Sequence, residues 1–168
     1  IAYPISDRGV IHISYGHFFQ IPQFSFLYDN PEFEISNTTN GGILGNANLK
    51  PEKTVMYEIG IKQEIARLTS IDFTVFYRDT RDWVGISPTI KKYPVGNYRK
   101  YQNMDYANTR GYTIMLERQF YKNFGLNIDY SWMLAEGTYS NPTDAYFDAL
   151  NDQAPRLGMI PLNWDQTH

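Results

Sequence analysis

The stretch GNANLKPEKTVMYEIGIKQEI, residues 45–65, changes character halfway along its length. Its first half is polar. Its second half alternates, and the apolar members of the alternation are Val55, Tyr57, Ile59 and Ile61. A two-residue period is typical of a β-strand with one apolar face. The stretch therefore predicts a loop that runs into a strand, and it raises the question of what the apolar face contacts.

Four other stretches show the same period: GVIHISYG (9–16), SIDFTVFYR (70–78), GYTIMLE (111–117) and GLNIDYSWML (125–134). Together they predict strands at 10–19, 54–65, 68–82, 106–120 and 124–136. One sheet face is then expected to hold apolar side chains, which are Ile11, Ile13, Val55, Tyr57, Ile59, Ile61, Phe73, Val75, Ile114, Leu116, Leu126, Ile128 and Tyr130. The opposite face is expected to hold charged side chains, which are Glu58, Lys62, Asp72, Arg78, Glu117 and Asp129.

Short and long connections alternate between these strands. The short ones are PISDRG (4–9), IARLT (65–69) and FYKNF (120–124), whereas residues 20–53, 79–105 and 136–161 form long ones. Loops longer than about 15 residues are uncommon inside compact soluble domains. An up-and-down barrel with its long loops on one side has this pattern. The pattern predicts an all-β fold, an antiparallel up-and-down meander.

The composition is compatible with a soluble domain and with a membrane β-barrel. The 168 residues are 42% hydrophobic and 16% aromatic, with a formal net charge of -3. This charge predicts no nucleic-acid partner. The absence of cysteine excludes disulfides and thiolate metal sites. No apolar run reaches the roughly 18 residues of a transmembrane helix.

Aromatic residues gather at both ends of the predicted strands. Those near the short turns are Tyr3, Phe120, Tyr121 and Phe124, and those toward the long loops are Tyr15, Phe18, Phe19, Tyr57, Tyr77 and Trp132. Two such levels are typical of the aromatic girdles of outer-membrane barrels. The apolar face is therefore expected to contact lipid. A soluble β-sandwich is the alternative, and it predicts that Ile59, Phe73 and Ile128 are buried against protein.

The opening stretch resembles a motif found late in the barrel of TonB-dependent outer-membrane receptors. The residues that carry the resemblance are Asn46, Leu49, Lys50, Pro51, Glu52, Tyr57, Glu58 and Gly60. SYGHFFQIPQFSFLYDN (14–30) is similar to an aromatic strand end of this family, NTRGYTIMLERQF (108–120) to its Gly-to-Glu strand, and PLNWDQTH (161–168) to the start of its next strand. The ordered set covers most of the chain and resembles receptors of Bacteroidota-type bacteria.

The resemblance implies an active importer in the outer membrane of a Gram-negative bacterium. The family has a barrel of roughly 22 strands that is plugged by an N-terminal domain. The resemblance therefore implies that the all-β, antiparallel up-and-down meander is a segment of a large transmembrane β-barrel. Residues 1–168 are then expected to be a partial barrel with about six or seven strand segments, without the plug or the energy-coupling box. The implied partners are outer-membrane lipid, the rest of the barrel and its plug, a TonB-type energy coupler acting through that plug, and an unknown extracellular ligand. The alternatives are a passive porin or structural barrel, and a soluble β-sandwich binding module.

No set of residues suggests catalysis, so the chain is not expected to be an enzyme. The histidines are His12, His17 and His168, and the first two project to opposite faces of one extended stretch. No metal site and no cofactor are predicted. A short helix is expected at residues 142–150, where Asn141 can act as the N-cap.

Aromatic side chains in the long loops are the candidates for ligand binding. They are Tyr28, Trp83, Tyr93, Tyr98, Tyr101, Tyr139, Tyr146 and Phe147. Rigid aromatic rings beside Asn and Asp suit the binding of a bulky ligand. The alternative is that these rings pack against each other and hold the loops still.

Overall fold

The computed structural model describes residues 1–30, 43–91, 96–139, 141, 144, 147 and 158–167. The strands are β1 Ala2–Ser6, β2 Gly9–Gln20, β3 Ile43–Leu44, β4 Glu52–Ala66, β5 Thr69–Ile86, β6 Ile90–Lys91, β7 Asn97–Tyr121, β8 Phe124–Gly137 and β9 Ile160–Pro161. One short helix, α1, spans Phe24–Tyr28. Among the described residues, no helix has both the length and the apolar character needed to cross a membrane.

The strands form one open sheet in the order β1-β2-β4-β5-β7-β8-β9, with antiparallel pairing along this path. The two-residue strands β3 and β6 both pair with β7, β3 in parallel. Along this path the strands pair in the order in which they occur in the chain, so the predicted meander is confirmed. Gln166 also forms an isolated bridge with Met133 of β8. Among the described residues of 161–167, this bridge and the last residue of β9 are β-structure, so the strand start predicted at 161–168 is confirmed only in part.

The tight connections are two-residue turns at positions 7–8, 67–68 and 122–123. Lys122 and Asn123 have φ values of 47° and 70°, and Leu68 has 63°. Positive φ at both central residues gives a turn twist that matches the twist of the flanking strands. The short connections predicted at these three places are confirmed.

The strand register separates the two sheet faces as predicted. One row of paired residues runs Ile13, Ile59, Val75, Tyr112 and Trp132 across five strands. The adjacent row on the other face includes Gly60 and Thr74, and the next row on that face runs Lys62, Asp72, Met115 and Asp129. Because residues directly opposite each other share a face, the two predicted sets lie on separate faces. We call them the apolar face and the polar face.

Large side chains of the apolar face are exposed. Ile59 is 54% exposed, Ile128 is 50% exposed and Phe73 is 39% exposed. The described residues therefore place no protein layer over this face. The soluble-sandwich alternative required these three side chains to be buried against protein, and it is wrong on this point.

Buried side chains are found at the end of the sheet that carries the long connections, which we call the upper end. One cluster there consists of Val84, Ile86 and Tyr101. A second consists of Ala107, Ala135 and Leu162, with Trp83 packed against it. The described residues nearer to the short turns contribute no member to either cluster.

The prediction that residues 79–105 form one long connection is wrong. Strand β5 continues to Ile86 and β7 already begins at Asn97, and Ile86 pairs with Tyr101. The register shifts on both sides of Trp83, and Asp82 has a positive φ of 57°. These bulges interrupt the two-residue period, so the pattern ends before the strands do.

The predicted helix at 142–150 lies outside the described residues except for Asp144 and Phe147. The backbone N–H of Asp144 donates to the carbonyl of Asn141 at 3.1 Å. Asp144 and Phe147 are both helical, so the predicted helix is confirmed at these two positions.

Candidate functional site

The upper end is formed where the β2–β4 connection folds onto the extended hairpin of β5 and β7. Strand β8 pairs with β7 only as far as Ala107, opposite Gly137. The edge of β7 beyond that point is therefore open, and Ile43 and Leu44 of β3 pair with it. The ring of Phe26, in α1, lies 4.8 Å from the ring of Tyr101. The connection is thus attached to the hairpin by strand pairing and by aromatic packing.

Asn103 holds the loop end of the opening motif. Its Oδ1 accepts from the backbone N–H of Lys50 at 2.8 Å, and its Nδ2 donates to the Lys50 carbonyl at 3.0 Å. The same Nδ2 group donates to the carbonyl of Asp82 at 2.7 Å. One side chain therefore joins the loop to the bulge of β5.

The other loop residues of the motif are anchored in the same place. Asn46 donates from Nδ2 to the carbonyl of Tyr101 at 2.8 Å, and Leu49 packs against the buried cluster of Val84, Ile86 and Tyr101. The next residue after Lys50 is Pro51, which precedes the first pairing residue of β4 and so removes no ladder hydrogen bond.

Glu52 begins β4 opposite Gln20. Burial raises the pKa of its carboxyl, and a hydrogen bond from the backbone of Val84 acts in the opposite direction.

The strand residues of the motif divide between the two faces. Tyr57 lies on the apolar face, and Glu58 lies on the polar face 4.0 Å from Arg78. Gly60 leaves room for His12, whose Nε2 lies 3.2 Å from Oγ1 of Thr74. A Cβ at position 60 would clash with both of these side chains.

The two histidines of β2 are on opposite faces, as predicted. His12 pairs with Gly60 on the polar face, and His17 pairs with Val55 on the other side of the sheet. The described residues contain no group of three or more potential metal ligands.

The predicted ligand-binding aromatics occupy different environments. Tyr101 is 6% exposed and Tyr139 is 7% exposed, so both rings are part of the packing of the upper end. Tyr28 and Phe147 are exposed, and Tyr98 pairs with Ile90 in the β6–β7 ladder. Tyr93 and Tyr146 lie outside the described residues.

Trp83 meets an aromatic partner that was not among the predicted ligand-binding residues. Its ring packs edge-on against Trp164, with 5.7 Å between the ring centroids. Trp164 is 43% exposed and follows β9. The pair joins β5, in the middle of the sheet path, to the segment that follows β9 at the end of the path, and it presents indole surface to solvent.

Asp105 is a buried carboxylate in the upper end. It is 7% exposed and accepts a hydrogen bond from Oγ1 of Thr138 at 2.9 Å. Gly85 permits this position, because a Cβ there would clash with the carboxylate. Burial raises the pKa of Asp105, and the hydrogen bond from Thr138 only partly opposes this shift.

Asp165 is a half-buried carboxylate in the segment that follows β9. The Thr167 hydroxyl donates to it, as does the backbone N–H of Ala135 at 2.7 Å. These hydrogen bonds, that from Thr167 first, lower its pKa.

The apolar face carries an aromatic level near each end. Tyr15, Tyr57 and Tyr77 lie in one row, with ring centroids 5.1 Å and 6.4 Å apart. Phe120 and Phe124 flank the short turn at 122–123. From Tyr57 to Ile65 the strand runs about 26 Å, which after a barrel-like tilt approaches the roughly 25 Å apolar band of membrane barrels.

Polar pairs begin at the tyrosine row and continue above it. Arg81 and Asp79 form an ion pair of 3.0 Å, and Arg110 and Glu136 form one of 3.4 Å. The apolar band therefore ends at a polar rim.

The sequence pattern did not single out Asn103, Asp105 or Arg110. Asn103 and Asp105 lie in the stretch KYQNMDYAN, where no simple period separates two faces. Arg110 occupies an apolar-face position directly opposite Tyr77. Arg110 lies one strand period before Tyr112, the first apolar-face residue of GYTIMLE. Extending the alternation of this stretch by one period toward the N-terminus would therefore have placed Arg110 on the apolar face.

The comparison with protein families gives one match over almost the entire chain. Residues 1–167 match the family described as TonB dependent receptor-like, beta-barrel. No curated protein is a significant sequence match.

Two solved structures resemble the fold. One is the outer membrane transporter YddB from Escherichia coli, at 16% identity and a TM-score of 0.61, with 81% of this chain and 19% of that chain covered. The other is the siderophore receptor PirA from Pseudomonas aeruginosa, at 16% identity and a TM-score of 0.58, with 81% of this chain and 28% of that chain covered. The chain therefore spans less than a third of the length of either protein.

Proposed function

The chain belongs to the TonB-dependent receptor β-barrel family, and we propose that it forms part of the wall and of the extracellular loops of an energised importer. The family consists of outer-membrane receptors of Gram-negative bacteria, and not of enzymes. The chain is accordingly a segment of a transmembrane β-barrel. In this setting the apolar face contacts lipid, the polar face lines the lumen, and the upper end faces the cell exterior.

The observation that best supports this proposal is the division of the sheet into two unlike faces. Half-exposed Ile, Val and aromatic side chains cover one face between two aromatic levels. The other face carries the ion pairs Lys62–Glu117, at 3.9 Å, and Glu58–Arg78, at 4.0 Å. A lumen that is occupied by water or by a folded plug accommodates such charges.

The proposed partners follow from the family. They are the remaining strands of the barrel, a plug domain in the lumen, a TonB-type energy coupler that acts on the plug, the lipid of the outer membrane and an extracellular ligand. We propose that residues 1–168 are a partial barrel without the plug. The charged polar face is the surface against which a plug would lie.

The extracellular ligand is proposed to contact the aromatic surface of the upper end. The exposed rings there are the indole of Trp164, the phenol of Tyr28 and the phenyl group of Phe147. The buried rings of Tyr101 and Tyr139 then have a supporting role, because they hold the loops that present the exposed ones. Trp83 belongs to the proposed binding surface because its ring packs against the exposed ring of Trp164.

Conductance of the full-length protein in a planar bilayer tests the importer against the passive porin. A plugged importer is expected to conduct no ions until urea unfolds its plug, and to conduct afterwards. A porin would conduct immediately, without urea. Immediate conductance by protein with the heat-modifiable gel mobility of a folded barrel would contradict the proposed function.

A further inference from the structure

A trough crosses the apolar face between two neighbouring rows of side chains. Its volume is 640 Å³. The upper wall consists of Tyr15, Tyr57, Tyr77 and Arg110, and the lower wall consists of Ile13, Ile59, Val75, Tyr112 and Trp132. The floor is backbone, because the residues between these rows direct their side chains to the polar face. The trough is apolar throughout, except at Arg110.

The trough is oblique to the membrane. Arg110 lies twelve residues before the turn at Lys122, whereas Ile13 lies five residues after the turn at Arg8. In a barrel whose short turns share one rim, these counts place Arg110 about 30 Å and Ile13 about 13 Å above that rim. An apolar band of roughly 25 Å then ends just below Arg110. The trough therefore descends from headgroup height into the hydrocarbon layer.

Arg110 is equipped to bind an anion at the head of the trough. Its side chain is 53% exposed, and its Nη2 group donates to Oε2 of Glu136 at 3.4 Å. That contact, the hydrogen bond it makes within the described part of the chain, leaves most of the five guanidinium N–H donors open. A planar guanidinium suits bidentate binding of phosphate oxygens. The side-chain methylenes can meanwhile lie against the apolar wall.

We propose that this trough binds one phosphate-bearing lipid of the outer leaflet, with its phosphate on Arg110 and one acyl chain along the trough. The positive charge of Arg110 lies at headgroup height, and the apolar trough runs from it into the hydrocarbon layer. An anionic lipid has its phosphate and its acyl chain in the same order. Tyr112 and Trp132, whose rings are stacked with centroids 5.6 Å apart, form the wall beside the upper part of the chain. The site rests on the membrane orientation given in the proposed function, but not on active import, so a failure of the conductance test would leave it standing.

The test uses the full-length receptor in detergent, with bound lipid counted by native mass spectrometry. Phosphatidylglycerol and diacylglycerol with identical acyl chains are the probes, because only the first carries a phosphate. At one site phosphatidylglycerol is expected to bind about tenfold more tightly than diacylglycerol. One charge-assisted hydrogen bond between Arg110 and the phosphate supplies a ratio of this size. Arg110→Gln should remove this preference, and Arg110→Lys should keep part of it. Equal binding of the two lipids by the wild-type protein would overturn the proposal.

Matched variants separate the site from general charge effects. Arg118 lies on the same face near a short turn, with its guanidinium 5.5 Å from the Phe124 ring, and Arg118→Gln should leave the preference intact. Val75→Trp fills the trough and should weaken the binding of both lipids. Heat-modifiable gel mobility confirms that each variant is folded. Loss of the preference in Arg118→Gln, no effect of Val75→Trp, or competition by inorganic phosphate at the lipid's concentration would each refute the lipid site.

Discussion

The lower strand region and the upper end of this sheet differ in how far their apolar side chains are buried. In the lower region, between the short turns and the tyrosine row, Ile59 is 54% exposed and its neighbours across the sheet are comparably open. At the upper end, Val84 is 1% exposed and Ile86 is 3% exposed, although both belong to the same strand as Val75. One continuous strand thus passes from a region without a buried core to a region that has one.

The surrounding solvent explains the difference. Lipid tails are as apolar as the side chains of the lower strand region, so exposure to lipid does not drive these side chains together. The upper end projects into water, where apolar surface is stabilised by burial. Loops that would otherwise be mobile therefore fold onto the β5–β7 hairpin. The register shows the same contrast, because it is regular between Thr80 and Thr69 and shifts on both sides of Trp83.

The comparison predicts its largest effect for truncation of a buried side chain at the upper end. Ile86→Ala should cost about 2–5 kcal/mol of unfolding free energy, because it leaves a cavity beside Tyr101. Ile59→Ala is the matched control and should cost much less, since lipid can fill the space. Guanidinium titration of the refolded full-length barrel measures both. Equal losses at the two positions would contradict the contrast in solvent.

The next effect is that of a charge on the apolar face. Ile59→Arg should cost about 2–4 kcal/mol, as Arg near the bilayer midplane does, and Val55→Arg about 0–1 kcal/mol. Val55 lies opposite His17 and Asp79, at the polar rim. Refolding into lipid vesicles, scored by heat-modifiable gel mobility, gives both values. The membrane assignment of this face fails if the two penalties are equal or if the segment folds in buffer without lipid.

A polar link at the upper end should have an intermediate effect. Asn103→Ala removes the hydrogen bonds to Lys50 and Asp82 and should cost about 1–3 kcal/mol locally. Hydrogen exchange of the residue 45–50 amides should increase. Asn127→Ala removes only an exposed contact with Asp129 and should leave these amides unchanged. Unchanged exchange in Asn103→Ala would show that packing alone holds the loop.

The smallest effect concerns the charge of Asp105. Because burial raises its pKa above the ordinary value of 3.8, its contribution to stability is complete below that pH and is lost as the pH rises through the folded-state value. Asp105→Asn keeps an acceptor for Thr138 and removes the charge. The variant should therefore melt at a higher temperature than the wild-type protein at pH 7 and at the same temperature near pH 3. A lower melting temperature at pH 7 would contradict this sign.

The sequence predicted the lower strand region well because one physical rule governs it. Between lipid and lumen, every second residue must be apolar, and the five predicted strands match β2, β4, β5, β7 and β8. At the upper end that rule does not apply. The period disappears at Asp82, and the strands were predicted too short by four residues in β5 and by nine in β7. The candidate site is proposed there, and the sequence singled out Trp83 and Tyr101 but neither Trp164 nor the arrangement of these rings.

The sequence by itself determined the strands of the lower region, the contents of the two faces, the short turns and the family. Each of these depends on the spacing of apolar, polar and turn-forming residues along the chain, and this spacing can be read directly from the sequence. Only the tertiary structure decided that Tyr101 is buried, that Trp83 meets Trp164, that Asn103 holds Lys50, and that Arg110 heads an apolar trough. These relations join residues that are distant in the chain, and they depend on which loop folds over which strand. Local periodicity contains no information about these contacts, because they form when loops fold over strands and bury apolar side chains away from water at the upper end.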